Sequence, residues 1–182
     1  GWPARGRRPA RDDRGLPDER PRRQVAIKLI RSGLPGPGLL RRFEAEAEIL
    51  GRLHHPGIAQ VYEAGNADGR PFLVMEYIDG LPITEWAEQR GLAISQRLEL
   101  MVRVCDAVQH AHQRGVIHRD IKPSNILVST VDDRPLLKVI DFGIAKAVER
   151  RLTEHTFFTE FQQMVGTPAY MSPEQAAGSV DL

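Results

Sequence analysis

Apolar residues recur along this chain with two spacings, and from Gln24 onward these spacings predict a series of strands and helices. Runs rich in β-branched residues predict strands at residues 25–30, 58–64, 70–77, 126–128 and 136–140. Apolar residues at helical spacing predict helices at residues 39–52, 82–89 and 94–114. The Asn-Ala-Asp-Gly sequence at 66–69 predicts a hairpin turn between the second and third strands.

Two of the predicted helices carry an apolar stripe that we expect to face a core. In the first helix the stripe consists of Leu39, Leu40, Phe43, Ala47 and Leu50. In the helix at 94–114 it consists of Leu98, Met101, Val102, Cys105 and Val108. We therefore expect Cys105 to be a buried core residue rather than a reactive thiol, because nothing nearby in the sequence would lower its pKa.

Composition adds limits to this picture. The chain has 182 residues, 41% of them hydrophobic, and a net charge of +1, which suits one domain with a real core and gives no overall case for binding nucleic acid or a membrane surface. The one cysteine excludes an internal disulfide and fits a reducing, cytoplasmic compartment. No run of about 18 apolar residues is present, so we expect no membrane segment in this chain.

The first 23 residues differ from the rest because arginines crowd there among Gly and Pro. This composition cannot bury much apolar surface, so we expect disorder. Two alternatives stay open. The segment could be a basic arm for nucleic acid or acidic lipid, or it could be a frameshifted or misassigned start, because the Arg/Pro/Gly/Ala bias is what a GC-rich gene yields when it is read out of frame.

Residues 118–125 combine three kinds of chemistry within eight positions. Asp120 can take a proton from a hydroxyl group, Lys122 can hold a transferring phosphate, and Asn125 can supply a metal ligand. Three further motifs flank this segment: Val-Ala-Ile-Lys at 25–28, Asp-Phe-Gly at 141–143 and Ser-Pro-Glu at 172–174. The four motifs in this order resemble those of Hanks-type (eukaryotic-like) serine/threonine protein kinases.

The resemblance implies an α+β fold with two lobes. Residues 24–80 would form an incomplete, small, β-rich N-lobe with the hinge, and residues 81–182 would form a truncated, helical C-lobe through the activation segment. The arginine-rich, lysine-poor composition and the Pro-Ser-Asn-Ile-Leu-Val sequence after Lys122 are similar to bacterial members of the family.

The resemblance also implies roles for the site residues, with ATP and Mg²⁺ as cofactors. Asp120 would accept the proton of the substrate hydroxyl, Lys122 would steady the γ-phosphate, and Lys28, paired with Glu46, would hold the α- and β-phosphates. Magnesium would bind Asn125 and Asp141. Met75 would be the gatekeeper, the backbone of Glu76 and Ile78 would bind the adenine edge, and Ala26 and Leu127 would enclose the adenine.

Substrate choice and regulation follow from the same resemblance. Lys122, together with Thr167 in its Gly-Thr-Pro setting, is similar to Ser/Thr rather than Tyr kinases. Arg119, next to Asp120, indicates control by phosphorylation. A phosphothreonine in the 144–166 loop would pair with this arginine, and self-phosphorylation could supply it. The candidate sites are Thr153, Thr156 and Thr159.

Two parts of the family's catalytic domain are not recognisable here. These are the glycine-rich loop over the ATP phosphates and the remaining helices of the C-lobe. Those helices normally cover the apolar side of the helix at 94–114, so apolar surface would stay exposed. We therefore expect this chain to be a fragment that is inactive, or nearly so, on its own.

Three other readings remain open. A pseudokinase-like nucleotide-binding or regulatory module would keep the fold without turnover, although Lys28, Asp120, Asn125 and Asp141 argue against it for the parent protein. A small-molecule phosphotransferase of similar fold is disfavoured by the Gly-Thr-Pro and Ser-Pro-Glu sequences. A nucleic-acid binder would act through the basic arm, and a salt-sensitive shift lost on deleting residues 1–23 would support it.

Overall fold

The structure is a computed structural model that describes residues 23–29, 37–67, 70–142 and 168–176. Residues 1–22 and 143–167 lie outside the described residues. These include the candidate phosphorylation sites Thr153, Thr156 and Thr159, and also Thr167. None of the helices in the described ranges has both the length and the apolar composition needed to cross a bilayer.

The first half of the described chain forms a small antiparallel sheet with one helix. The strands are β1 (Val25–Leu29), β2 (Val61–Ala67) and β3 (Arg70–Glu76), in the spatial order β1-β3-β2. Helix α1 (Pro37–Gly51) packs on β2 and β3. Its stripe residues Phe43, Ala47 and Leu50 are buried, as the helical spacing predicts, whereas the side chains of Leu39 and Leu40 lie outside the description.

The second half holds a second antiparallel sheet and most of the helical residues. Its strands β4 (Leu81–Pro82), β5 (Ile126–Val131) and β6 (Arg134–Val139) are neighbours in that order. The helices are α2 (Ile83–Gln89), α3 (Ile94–His112) and a single turn, α4 (Pro173–Ala176). This division into a β-rich part and a more helical part confirms the predicted α+β fold class.

The strand hairpin β5–β6 shows how local sequence sets the register. Asp132 and Asp133 connect the strands, with φ values of 48° and 60°. Two left-handed residues in a two-residue loop are typical of a type I′ turn, which matches the twist of the paired strands. The turn fixes Ile126 opposite Val139, and that register places the residues before β5 beside those after β6.

The connection between the two sheets is short and closely packed. Gly80 lies between β3 and β4, and a Cβ atom added there would come 2.8 Å from the Val128 carbonyl oxygen. Only glycine allows this approach without a shift of the backbone. On the other side, Ile58 forms a parallel bridge with Val139, so the loop before β2 also joins the second sheet.

The prediction for the core face of α3 was wrong. The buried residues are Leu100, Val104, Ala107 and Ala111, whereas Leu98 and Val102 are 60% and 59% exposed and Met101 and Cys105 are also exposed. Of the predicted stripe, Val108 packs against the core. Two stripes on this helix have apolar helical spacing. The one with alanines packs against the rest of the described chain, and the other is exposed, as expected for the side that further C-lobe helices normally cover.

Several element boundaries also differ from the predictions. Strand β2 begins at Val61 rather than at residue 58 and runs through Ala67, so Asn66 and Ala67 are strand residues rather than turn residues. Helix α3 ends at His112, two residues before the predicted end. Gly115 follows with φ of +73°, a left-handed conformation that turns the chain away from the helix axis.

Candidate active site

The loop between α3 and β5 brings Asp120, Lys122 and Asn125 together. Asn125 is buried, and its Nδ2 donates to the backbone oxygen of Asp120 at 2.9 Å and to Asp120 Oδ2 at 3.0 Å. Lys122 Nζ lies 3.1 Å from the same carboxylate oxygen. The Asp120 carboxylate is therefore held in one orientation by an amide and an ammonium group, which agrees with its predicted role of aligning a substrate hydroxyl.

The buried ring of His118 holds this loop in place through two hydrogen bonds. Its ring is 1% exposed. The backbone N–H of Asp120 donates to His118 Nδ1 at 3.2 Å, so Nδ1 carries no proton, and Nε2–H donates to the Ile140 carbonyl at 2.9 Å. Burial lowers the pKa of His118, and the Ile140 carbonyl and the carboxylates of Asp120 and Asp141 oppose this only in part. The histidine is therefore neutral at pH 7.

The His118 ring also contacts Phe142, with ring centroids 4.6 Å apart. Phe142 is itself buried. The ring contact of His118 with Phe142 and its hydrogen bond to Ile140 therefore join the loop between α3 and β5 to the segment after β6. The sequence indicated no role for the side chain of His118 or Phe142. It showed only that they lie within the motifs at 118–125 and 141–143.

Asn125 and Asp141 lie next to each other because of the β5–β6 register. The backbone N–H of Ile140 donates to the Asn125 carbonyl at 2.9 Å, and Asp141 is the next residue. Asp141 has φ of 63° and Arg119 has φ of 62°. Left-handed backbone costs a non-glycine residue about 1–2 kcal/mol, and such residues persist where the surrounding contacts fix them.

Lys28 on β1 reaches Asp141 from the first sheet. The distance from Nζ to Asp141 Oδ1 is 2.9 Å. Glu46 on α1 is partly buried, whereas Glu44 and Glu48, two positions away on either side, are exposed. This difference agrees with the choice of Glu46 from the spacing, but its pairing with Lys28 stays a prediction.

A pocket opens where the two sheets meet. Lys28 and Asp141 line it together with Met75 and Phe142. Its remaining wall is apolar and comes from α1, the following loop and the strands, through Leu50, Leu53, Ile58, Ala59, Val61 and Leu73. Met75, the predicted gatekeeper, is buried in this wall, and its Cα pairs with that of Ala26 across β1 and β3.

The side chain of Glu76, at the start of the predicted hinge, has a role that the sequence did not indicate. Glu76 Oε2 accepts from Lys138 Nζ at 2.9 Å and from the Gln60 backbone N–H at 3.1 Å. The Glu76 N–H donates to the Gln60 carbonyl at 2.8 Å. These bonds join β3, β6 and the loop before β2. The adenine contacts predicted for Glu76, Ile78, Ala26 and Leu127 stay predictions.

The donor set fits a magnesium ion. The two hydrogen bonds of the Asn125 side chain both use Nδ2, which leaves the oxygen Oδ1 for a metal. Asp141 pairs with Lys28 through Oδ1, which leaves its second carboxylate oxygen. One amide oxygen and one carboxylate oxygen on neighbouring residues are ligands of the kind that Mg²⁺ takes beside substrate phosphates.

This fold and this site define a protein kinase domain, and comparison with known proteins agrees. The protein kinase domain family matches residues 17–180. Serine/threonine-protein kinase Pkn1 of Myxococcus xanthus is 40% identical over 157 residues, which cover 85% of this chain and 22% of Pkn1. Serine/threonine-protein kinase PknB of Mycobacterium tuberculosis is 39% identical over 171 residues, which cover 90% of this chain and 26% of PknB. The chain therefore belongs to the protein kinase domain family.

Solved structures give the same fold. The PknI kinase domain of Mycobacterium tuberculosis is 32% identical, with a TM-score of 0.56 over 66% of this chain and 49% of that one. Rad53 in complex with AMP-PNP is 30% identical, with a TM-score of 0.56 over 66% of this chain and 31% of that one. The chain spans about a quarter of the length of the curated relatives it matches.

Proposed function

We propose that the protein is an ATP-dependent serine/threonine protein kinase that transfers the γ-phosphate of ATP to Ser or Thr hydroxyls of proteins. The observation that carries this proposal is the Asp120 carboxylate, which Asn125 and Lys122 hold in place. Further support comes from the names of the similar bacterial proteins, all serine/threonine-protein kinases, and from the AMP-PNP bound to Rad53.

In the proposed reaction the substrate hydroxyl oxygen attacks the γ-phosphorus. The new P–O bond forms as the bond from the γ-phosphorus to the β–γ bridging oxygen breaks, and ADP leaves with that electron pair. Asp120 accepts the hydroxyl proton. Lys122, whose Nζ lies 3.1 Å from the Asp120 carboxylate, would contact the γ-phosphate.

The phosphates would bind between the two sheets. Lys28 would hold the α- and β-phosphates, and Glu46 would orient that lysine. Asn125 and Asp141 would hold Mg²⁺, which when bound neutralises charge on the β- and γ-phosphates. The adenine would lie between Ala26 and Leu127, beside Met75, with the backbone of Glu76 and Ile78 at its edge. We place the boundary between the lobes at residue 80.

Regulation would act through residues 144–166. We propose that Thr153, Thr156 or Thr159 becomes phosphorylated, with self-phosphorylation as one source, and that the phosphate pairs with Arg119. Thr167 would contribute to recognition of Ser/Thr rather than Tyr substrates. Mass spectrometry of active protein that finds all three candidate threonines unmodified would contradict this part of the proposal.

The test of the function is an assay of phosphate transfer from ATP to generic Ser/Thr substrates by the full-length protein. Asp120→Asn should lower kcat by a factor of about 10²–10⁴, the range for loss of general-base assistance, while Mg–ATP binding persists. Asp106→Asn, on an exposed part of α3, is the matched control and should leave kcat unchanged. Wild-type protein that binds Mg–ATP without any transfer would instead indicate a pseudokinase-like module.

A further inference from the structure

Helix α4 begins with a reciprocal pair of hydrogen bonds. The backbone N–H of Gln175 donates to Ser172 Oγ, and the backbone N–H of Ser172 donates to Gln175 Oε1, each at 3.2 Å. This is the geometry of a capping box, in which two residues three apart satisfy each other's backbone donors. The pKa of Glu174 is lowered, first by its own backbone N–H and second by a hydrogen bond from the Ser172 side chain.

The nitrogen of the Gln175 side-chain amide contacts the loop between α3 and β5. Gln175 Nε2 donates to the Arg119 carbonyl at 2.9 Å, between residues 56 positions apart in sequence. The orientation of this amide is determined by its partners, since a backbone N–H can only donate and a carbonyl can only accept. Each end of the side chain therefore has a different function: the oxygen caps α4 and the nitrogen holds residue 119.

The peptide that Gln175 holds is a strained one. Arg119 has φ of 62°, a conformation that a non-glycine residue keeps only with outside support. Its carbonyl belongs to the peptide unit whose N–H is that of Asp120, and that N–H donates to His118 Nδ1. Gln175 and His118 thus hold the same peptide unit from its two polar ends. Rotation of this unit would move the Asp120 side chain.

We propose that Gln175 is a positioning residue for Asp120, acting through the Arg119 carbonyl; this inference rests on the proposed kinase function. The hydrogen bonds of the Gln175 side chain go to backbone groups of Ser172 and Arg119, not to the residues proposed to hold the nucleotide. Its effect should therefore fall on kcat, which depends on the alignment of the Asp120 carboxylate, rather than on the KM for ATP. It also connects helix α4 to the loop between α3 and β5.

Three variants of the full-length protein separate the two ends of the amide. Gln175→Glu keeps an acceptor for the Ser172 N–H but cannot donate to the Arg119 carbonyl. Gln175→Lys keeps a donor for that carbonyl but loses the acceptor. Ser172→Ala removes the hydroxyl cap of α4 and leaves the Gln175 side chain intact. Each is assayed for kcat, for the KM of ATP and for hydrogen exchange of the amides in residues 118–125.

We expect Gln175→Glu to lower kcat by a factor of about 10 to 100, the scale of a small misplacement of a catalytic group, with little change in the KM for ATP. Ser172→Ala should lower kcat less, and Gln175→Lys should recover part of the loss. Equal effects of Gln175→Glu and Ser172→Ala would overturn the proposal, since the capping of α4 alone would then explain both.

Hydrogen exchange decides the proposal even if the proposed function fails. Wild-type protein without phosphate transfer would refute the kinase activity but not the contact. Faster exchange in residues 118–125 of Gln175→Glu, without a matching change in Ser172→Ala, would support positioning of the loop. Unchanged exchange in Gln175→Glu would contradict it, whatever the activity of the wild type.

Discussion

Lys28 Nζ lies 2.9 Å from Asp141 Oδ1, and this ion pair joins the first strand of one sheet to a residue two positions beyond the last strand of the other. Both side chains are partly exposed, at 30% and 26%, so the pair lines an accessible pocket. Nucleotide phosphates would compete with Asp141 for the positive charge of Lys28. Mg²⁺ would compete with Lys28 for the negative charge of Asp141.

Replacement of Lys28 should therefore weaken nucleotide binding and transfer. We expect Lys28→Met to lower kcat/KM for ATP by a factor of about 100 or more, because removing one preorganised hydrogen-bond donor from an active site costs about 2.7–4 kcal/mol. Arg41→Met, at an exposed position on α1, is the control and should bind Mg–ATP as the wild type does. Binding is measured as the shift of the melting temperature with Mg–ATP. An equal shift in Lys28→Met and Arg41→Met would contradict the assignment.

The ion pair between Glu76 and Lys138 should contribute to stability. Their side chains are 26% and 12% exposed, and Lys138 also donates to the Ile58 carbonyl. Removing either partner leaves a partly buried charge without its counterpart, so we expect Glu76→Gln and Lys138→Met each to lower the free energy of unfolding by about 1–3 kcal/mol. The double variant should lose less than the sum of the two.

The pair Glu48–Arg52 on α1 is the control for this measurement. Its side chains are exposed, and exposed pairs of this kind contribute less than about 1 kcal/mol. A double-mutant cycle in urea unfolding measures both couplings. If the Glu76–Lys138 coupling is no larger than that of Glu48–Arg52, then Glu76 is held by its bond to Gln60 rather than by Lys138.

Stability should fall in mild acid because of His118. Burial holds its pKa below the ordinary 6.5 in the folded protein, so the unfolded chain takes up a proton at a higher pH than the folded one does. The stabilisation that neutral His118 provides is therefore fully present above about pH 6.5, the pKa in the unfolded chain. It is lost as the pH falls from there through the lower pKa of the folded protein. Urea unfolding at a series of pH values measures this loss.

A variant separates His118 from other groups that titrate in this range. His118→Phe keeps an aromatic ring beside Phe142 but cannot titrate, so its stability should be lower at neutral pH and should depend less on pH. The pKa of His110 is also lowered, by burial and by the nearby charges of Arg114 and His55, so both proteins are compared in a His110→Gln background. If the free energy of unfolding of His118→Phe depends on pH as steeply as that of the protein with His118, then His118 does not cause the loss of stability in acid.

The two apolar stripes of α3 should respond differently to substitution. Leu100 is 4% exposed, and Leu100→Ala should lower the free energy of unfolding by about 2–5 kcal/mol. Leu98→Ala removes the same atoms from a residue that is 60% exposed, and we expect a change of less than about 0.5 kcal/mol. If Leu98→Ala costs as much as Leu100→Ala, then Leu98 is covered in the folded protein.

Local residue patterns were sufficient for most of the elements. The helical spacing of Phe43, Ala47 and Leu50 correctly predicted the core face of α1. The β-branched run at 25–30 correctly predicted β1 (Val25–Leu29). The same reasoning failed for α3, because Leu98 and Leu100 both belong to stripes with helical spacing. The choice between such stripes depends on which neighbours pack against the helix, and in α3 the alanines at 107 and 111 allow the closer approach.

The sequence by itself predicted the roles of residues 118–125, because an acid, a lysine and an amide lie close together there and, with three further motifs, resemble those of serine/threonine protein kinases. Only the tertiary structure decided what holds these groups. The contacts of Lys28 with Asp141, of His118 with Ile140 and of Gln175 with Arg119 join residues 113, 22 and 56 positions apart. Such contacts follow from strand register and helix packing, so no local pattern of residues encodes them.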